Sequence, residues 1–426
     1  MKRPMMSVTK KYAVGLFIAV LSISTGFADE ADDLKRIDVA WADYIVELAS
    51  SGELIRQQEF SNSVINRFEG YRAVMAIASV GYANLLFTDR DTPEYLPDFG
   101  PLVNYCAPAP SYKYGMFHLD PNGVYRVRGY RGDAELIDFQ QQAGWYGENK
   151  GANQIVTKVN ITFDKIDTGV DEDGYYEFTL SNKKQPGHWW KLEDQANALF
   201  IREFFVDFNT RPRSATFHID RIDAPSKKST AVTDVDDAVF RLNALKRAQN
   251  YLNLCLRMGN SFPEGDNKVR EERYDQGGGQ IDQRYFQARY NVDKDEALIV
   301  EWPVPEQCRF WSFALYNDYW QVLNYGNRQV HLNSAMVDLD SNGIATMVIS
   351  HQDPGVQNWI DVDGHNTGIF LGRAKICGKA SIPTMRKVKY NDLERVLPAG
   401  MKKVTGEGRL KQLAVRREHY LHRYSR

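Results

Sequence analysis

The chain has 426 residues, of which 43% are hydrophobic and 12% aromatic, and its formal net charge is −2. This composition suits two or three packed domains and argues against long-range disorder. The charge is uneven, because the segment from Lys402 to Arg426 holds eight Lys and Arg but two Glu. The preceding body is therefore acidic, which excludes a typical nucleic-acid-binding surface.

The N-terminus has the order of residue types found in a secretory signal. Basic residues up to Lys11 precede an apolar run from Ala13 to Ile23, and small residues precede Asp29. This order predicts a signal peptide over residues 1–28 and a periplasmic or secreted protein. A retained membrane anchor is the less favoured alternative, because a bilayer span takes roughly 20 apolar residues.

Two helices are predicted ahead of the first strands. Apolar residues recur at helical spacing over residues 31–57 and again over about 63–86, as on the buried face of an amphipathic helix. Prolines then end the helical pattern, so an N-terminal helical segment is predicted over residues 29–98. The expected buried stripe of the second helix consists of Val64, Phe68, Tyr71, Met75, Ala78, Tyr82 and Leu85.

Short alternating strands separated by turn residues begin at Tyr112, which predicts a first β module over residues 99–225. Helical periodicity returns from about Thr233 to Met258, and three consecutive glycines follow. The expected division of the remaining chain is a helix and glycine-containing linker over 226–282, a second β module over 283–390 and a basic tail over 391–426.

Two distant segments share an order of residue types. In each, a Pro-Gly turn precedes a tryptophan, and an arginine follows within an apolar strand; the pairs are Trp190 with Arg202 and Trp359 with Arg373. The shared order predicts an internal duplication, with chance similarity as the alternative. The predicted fold class is mainly β with flanking helices (α+β), built from two duplicated antiparallel β-sandwich or jelly-roll-like modules.

The same segments carry a family likeness. The chain resembles the bacterial domain-of-unknown-function families 1254, in the first module, and 1214, in the second. The resemblance covers roughly residues 100–390 and implies a two-module β architecture with associated helices, but no agreed activity or catalytic residues. It is carried by Trp190 and the run from Ile201 to Asp207 in the first module, and by the run from Phe310 to Tyr316, Asp353-Pro354-Gly355 and Asn358-Trp359 in the second.

The four cysteines have no metal-binding spacing. One or two disulfides could form in an oxidising compartment. Cys308 and Cys377 are the favoured pair, because both lie in the second module. Buried free thiols are the alternative.

The candidate catalytic residues are His351, Asp353, Asp361 and His365, where His and Asp are densest in the chain. Such side chains could act as an acid–base pair in a periplasmic hydrolase or lyase, and a divalent cation could assist them. The alternative is that Asp353 is a turn residue before Pro354. No cofactor is predicted.

The candidate ligand-binding residues are Trp190, Trp359, Arg202 and Arg373. Exposed aromatic side chains could hold a carbohydrate or an apolar small ligand in a cleft of a β module. Core packing of the tryptophans and salt bridges of the arginines are the alternatives. The favoured function is therefore an exported small-ligand-binding protein, with the hydrolase or lyase and a purely structural envelope protein as the other hypotheses.

The basic tail could form an amphipathic helix through Leu410, Leu413, Val415 and Leu421, and such a helix could contact an anionic membrane surface. A solvated extension, or a helix docked on the acidic body, is the favoured interpretation. No nucleic-acid partner is expected, and no oligomeric state is predicted.

Overall fold

The computed structural model describes residues 25–96, 100–145, 155–223, 234–252, 255, 261–274 and 278–424. The predicted signal peptide lies outside the described residues except for positions 25–28, which belong to the first helix. None of the helices in these ranges combines the length and the apolar character that a membrane span needs.

Five α-helices lie wholly within the described ranges, and a Ser63 side chain that accepts a hydrogen bond from the Asn66 N–H caps the second. A π-helical turn, Ala83–Phe87, follows it, and 3-10 turns lie at Phe163–Lys165 and Tyr390–Asp392. The helices are α1 (Thr25–Gln57), α2 (Val64–Tyr82), α3 (Val235–Gln249), α4 (Leu393–Val396) and α5 (Gly406–Tyr424).

The first β module consists of two four-stranded sheets. Their strand orders are β1-β7-β3-β4 and β6-β5-β2-β8. All pairs are antiparallel except β5 with β6, which is parallel. The strands are β1 (Tyr112–His118), β2 (Tyr125–Tyr130), β3 (Leu136–Ala143), β4 (Val156–Thr162), β5 (Tyr175–Ser181), β6 (Trp189–Lys191), β7 (Ala198–Phe204) and β8 (His218–Arg221).

The second β module also consists of two sheets, with strand orders β13-β12-β16-β10-β9 and β15-β14-β11-β17. The parallel pair is β14 with β15. The strands are β9 (Arg270–Glu272), β10 (Gln283–Asn291), β11 (Glu296–Pro303), β12 (Cys308–Tyr316), β13 (His331–Asn333), β14 (Ile344–Ser350), β15 (Trp359–Asp361), β16 (Thr367–Cys377) and β17 (Thr384–Lys389).

The two modules connect their strands in the same way. The order β1-β7-β3 in one sheet of the first module corresponds to β10-β16-β12 in the second module. The order β6-β5-β2-β8 in the other sheet corresponds to β15-β14-β11-β17. The predicted fold class, mainly β with flanking helices and sandwich-like modules, is confirmed. The predicted match between Trp190 and Trp359 is wrong by one residue, because Trp189 and Trp359 are the tryptophans that start the two parallel pairings. Each donates a hydrogen bond to the serine that ends the neighbouring strand, Ser181 for Trp189 and Ser350 for Trp359.

The modules pack against each other through the sheets that contain β7 and β16. Alternate residues of a strand face opposite sides, so Phe200, Arg202 and Phe204 of β7 face the second module. The rings of Phe204 and Phe310 lie 5.3 Å apart. A hydrogen bond from Tyr112 Oη to Gln283 Oε1 (2.8 Å) also joins the modules.

Helix α2 buries the face opposite to the predicted one. Val64 and Phe68 are 87% and 64% exposed, whereas Ile77 and Val80 are buried against the core shared with β1 and β7. The prediction is wrong because small residues, among them Gly70, bring this helix close to its neighbours. A Cβ at Gly70 would lie 2.3 Å from Ile55, so the small residues of this face permit the close packing that also buries Ile77 and Val80.

Helix α5 is docked on the body, in line with one of the favoured interpretations of the tail, but with its basic face inward. Arg416 and Arg423 are buried, whereas Leu410 and Leu421 are 69% and 43% exposed. Phe208 explains the orientation, because it stacks on His419 with ring centroids 4.1 Å apart. The Arg416 and Arg423 guanidinium groups also lie over its ring, a favourable cation–π arrangement.

Two disulfides cross-link the structure. The favoured pair, Cys308–Cys377, joins directly opposed residues of β12 and β16. Cys106–Cys255 joins the segment before β1 to the segment after α3, a connection that sequence spacing does not reveal. Pairs of this kind are typical of oxidising compartments.

Candidate ligand cavity between the two modules

A cavity of about 130 Å³ lies between the modules. Strands β1 and β7 supply one wall, β10 and β16 supply the opposite wall, and the Cys106–Cys255 disulfide lies at its edge. We call it the inter-module cavity and define it by six of its lining residues: Tyr112, Tyr114, Arg202, Tyr285, Trp320 and Arg373.

Arg202 and Arg373 occupy corresponding positions in the two modules. Arg202 is opposite Tyr114 in the β1–β7 pairing, and Arg373 is opposite Tyr285 in the β10–β16 pairing. Because both strands present this side of the sheet to the other module, the two predicted ligand-binding arginines line the same cavity. The two tryptophans of the same prediction do not.

The Arg202 guanidinium has a carboxylate nearby. It donates to Gln140 Oε1 (2.7 Å) and to the Gly278 carbonyl (2.9 Å), and its Nη1 lies 4.0 Å from Asp138 Oδ2. Lys375 of the second module donates to the other oxygen of Asp138 (3.1 Å) and to Asp282. Two cations and two carboxylates therefore balance each other across the module boundary.

Arg373 has no such counter-ion within the described ranges. Its guanidinium donates to Tyr316 Oη (2.7 Å) and to the Ala107 carbonyl, and it lies near the Tyr285 ring. All of these groups are neutral, whereas the side chain is 5% exposed and arginine remains charged in proteins. A buried cation without an acid is costly, so the site favours an anion.

Three further polar atoms at the cavity lack a hydrogen-bonding partner among the described residues. They are Trp320 Nε1, Gln142 Nε2 and Gln280 Oε1, and all three side chains are buried. Buried polar atoms are ordinarily hydrogen-bonded, so each exception needs a reason. Two of these atoms are donors that add to the arginine N–H groups.

The backbone around the cavity is strained. Cys106, Ala107 and Trp320 have φ values of 48°, 62° and 61°, in the left-handed region that non-glycine residues seldom adopt. The Ala107 N–H donates to the Trp320 carbonyl (2.7 Å), which holds the two strained segments together. Such conformations cost on the order of 1–3 kcal/mol each and cluster at ligand sites.

The predicted tryptophans pack within their own modules. Trp359 is 6% exposed, donates through Nε1 to Ser350 Oγ (3.1 Å) and packs beneath Arg409. Trp190 is partly buried and lies against Phe139 of the first core. Neither indole belongs to the inter-module cavity.

The four candidate catalytic side chains have separate partners. Asp353 pairs with Arg409 (2.8 Å) and Asp361 pairs with Arg328 (2.8 Å). His351 Nε2 lies 3.2 Å from the Val292 carbonyl. Within the described part of the chain, no three His, Cys, Asp or Glu side chains are grouped closely enough to hold a metal ion.

His365 lines a cleft on the surface. Its Nε2 lies 3.0 Å from Glu69 Oε1 on α2, and both residues line a cleft of about 400 Å³. Burial lowers the pKa of His365, but the Glu69 carboxylate outweighs this effect, so the pKa is raised. The pair attaches α2 to the second module by an ionic contact.

The cavity tyrosines and Trp320 are not among the ligand-binding residues predicted from the sequence. The alternation in Tyr112-x-Tyr114 and Gln283-x-Tyr285 could have indicated that one face of β1 and one of β10 are polar-aromatic. Nothing in the sequence marks Trp320, because its place depends on the turn after β12.

The comparisons with known proteins reveal the fold but no activity. An uncharacterized protein from Burkholderia cenocepacia is similar in structure, with 24% identity and a TM-score of 0.75 over 83% of this chain and 98% of that one. A protein from Vibrio parahaemolyticus has 10% identity and a TM-score of 0.41 over 83% of this chain and 100% of that one.

No curated protein matches the chain. Residues 287–372 match the model of DUF1214, which is described as a protein of unknown function. This range begins in β10 and ends in β16, so it contains most of the second module. The match ends one residue before Arg373.

Proposed function

We propose that this protein is an exported small-molecule-binding protein whose ligand occupies the inter-module cavity. The observation that carries the proposal is the meeting of Arg202 and Arg373, one from each module, in a single aromatic-lined cavity with unpartnered polar atoms. Ligand sites typically combine an apolar wall with a few polar groups that fix orientation.

The size of the cavity narrows the choice of ligand. At about 130 Å³ it is comparable to the ~150 Å³ engineered cavity that admits benzene. A compound of that size suits it better than an oligosaccharide. Of the two ligand classes expected from the sequence, we therefore favour the compact apolar one over the carbohydrate.

Export and internal duplication belong to the same proposal. The signal-like N-terminus and the two disulfides support a periplasmic or secreted location. The common strand order of the modules supports duplication, and the 1254-type first module is proposed from Trp190 and the run from Ile201 to Asp207. In this account each copy contributes one arginine to a shared site.

The hydrolase or lyase hypothesis has weaker support. His351, Asp353 and Asp361 each have a different partner, which leaves the His365–Glu69 pair as the remaining acid–base candidate. A reaction would require this pair to reach a substrate in the adjoining cleft. We rank this function second.

A thermal-shift screen tests the binding function. The panel comprises small neutral aromatic and aliphatic compounds, their carboxylic acids and monosaccharides. Wild-type protein should be stabilised by at least one class, whereas Leu371→Phe, which fills the cavity wall, should lose that response. The control Ile349→Phe, which enlarges a side chain in the core of the second module, should keep the thermal response to ligand. If no class of compound stabilises the wild-type protein, the proposal is overturned.

A further inference from the structure

We infer that the ligand is a small carboxylate, held at its charged end by Arg373 and at its apolar end by the aromatic wall. This inference rests on the proposed function and adds the chemical class of the ligand. It comes from the balance of charge around the inter-module cavity.

The two arginines differ in whether a carboxylate lies nearby. Arg202 and Lys375 share the carboxylates of Asp138 and Asp282. Arg373 has no described acid within salt-bridge distance, and its described acceptors are a phenol and a carbonyl. One positive charge at the cavity is therefore left for a ligand to neutralise.

The hydrogen-bonding capacity agrees with an anion. A guanidinium has five N–H donors in a planar fork that matches a carboxylate, and two of the donor contacts of Arg373 are assigned in the structure. Trp320 Nε1 and Gln142 Nε2 are buried donors without described partners. An acceptor-only ligand would satisfy the remaining N–H groups of Arg373, whereas a neutral hydrocarbon would leave them unpaired.

The rest of the wall favours an organic acid over an inorganic anion. Phe200, Ile155 and Leu371 line the cavity together with the tyrosine rings. A phosphate or sulfate ion would leave this surface without an apolar partner. A monocarboxylate with a compact apolar body, such as benzoate or hexanoate, would contact both parts of the site.

The test compares each acid with a neutral analogue of similar size. Calorimetric titration would use benzoate against benzyl alcohol, hexanoate against 1-hexanol, and inorganic phosphate and sulfate, in a carboxylate-free buffer. Wild-type protein should prefer each acid to its alcohol by about tenfold or more. In Arg373→Met this preference should disappear while the alcohols bind as before; the exposed control Arg213→Met should match wild type.

The results of these titrations distinguish the carboxylate assignment from the binding function. Equal or tighter binding of the alcohols in wild type would overturn the carboxylate assignment and leave the binding function standing. Binding of phosphate or sulfate alone would also overturn the assignment, whereas no binding of any compound would overturn both claims. If Arg373→Met does not fold, Arg373→Lys, which keeps the charge but not the fork, should show a reduced preference; an unchanged preference would count against Arg373.

Discussion

Arg202 and Arg373 lie at matching positions of β7 and β16, each opposite a tyrosine of the neighbouring strand, and both line one cavity. Their surroundings differ in one respect: residue Asp138 is opposite Arg202, whereas Ser312 is opposite Arg373. The first arginine therefore has an acid beside it. The second has no acid within salt-bridge distance among the described residues.

The Lys375–Asp138 pair should contribute strongly to the stability of the module boundary. Both side chains are fully buried, and Lys375→Met would remove a cation from this buried cluster. We expect the free energy of unfolding to fall by about 3–5 kcal/mol, measured by urea denaturation. Arg213→Met, at an exposed pair with Asp133, should cost less than about 1 kcal/mol; equal effects would contradict the assignment.

Glu203 should make the protein less stable as the pH rises from about 4.5 to about 7. Burial raises the pKa of this carboxyl from its ordinary 4.5 to about 7. Over that range Glu203 loses its proton in the unfolded chain but keeps it in the folded chain. The free energy of unfolding therefore falls as the pH rises, by about 3 kcal/mol at most. Glu203→Gln should flatten this part of the pH–stability curve, and exposed Glu135→Gln should not; a variant as steep as wild type would refute the prediction.

The packed face of α2 can be tested with two substitutions. Ile77→Ala should lower the free energy of unfolding by about 2–5 kcal/mol, because Ile77 is buried. Phe68→Ser should change it by no more than about 0.5 kcal/mol, because Phe68 is 64% exposed. Chemical denaturation of both variants measures the difference. The reverse ranking would restore the stripe that sequence periodicity predicts.

The two disulfides should differ in their effect on ligand binding. Replacing either pair by serines should lower the free energy of unfolding by about 2–5 kcal/mol. The Cys106→Ser/Cys255→Ser variant should also bind ligand more weakly, because both cysteines line the cavity. The Cys308→Ser/Cys377→Ser variant should bind like wild type. Equal loss of affinity in both variants would contradict this role.

Local patterns predicted the fold class and half of the candidate site. Alternation and turn residues define the strands, and a charged residue on an apolar strand draws attention to Arg202 and Arg373 because it needs a partner. The predicted ligand-binding residues Trp190 and Trp359 lie outside the inter-module cavity, since a large indole packs in a core as readily as on a ligand-binding surface. Their true settings depend on β5 and β14, which local sequence does not specify.

The helices illustrate a second limit. Spacing finds α2 and α5, but it selects the wrong buried face of α2 and does not indicate that α5 turns its arginines inward. On α2 the small residues around Gly70 allow close packing, and on α5 aromatic partners such as Phe208 accept arginines. Both effects depend on the surface that each helix meets, which only tertiary structure supplies.

The most direct test of the account is a crystal structure of the wild-type protein grown with benzoate. The aromatic ring should lie within the inter-module cavity, with the carboxylate about 3 Å from the Arg373 guanidinium. Benzoate bound elsewhere, with the cavity holding only water beside Arg373, would contradict it.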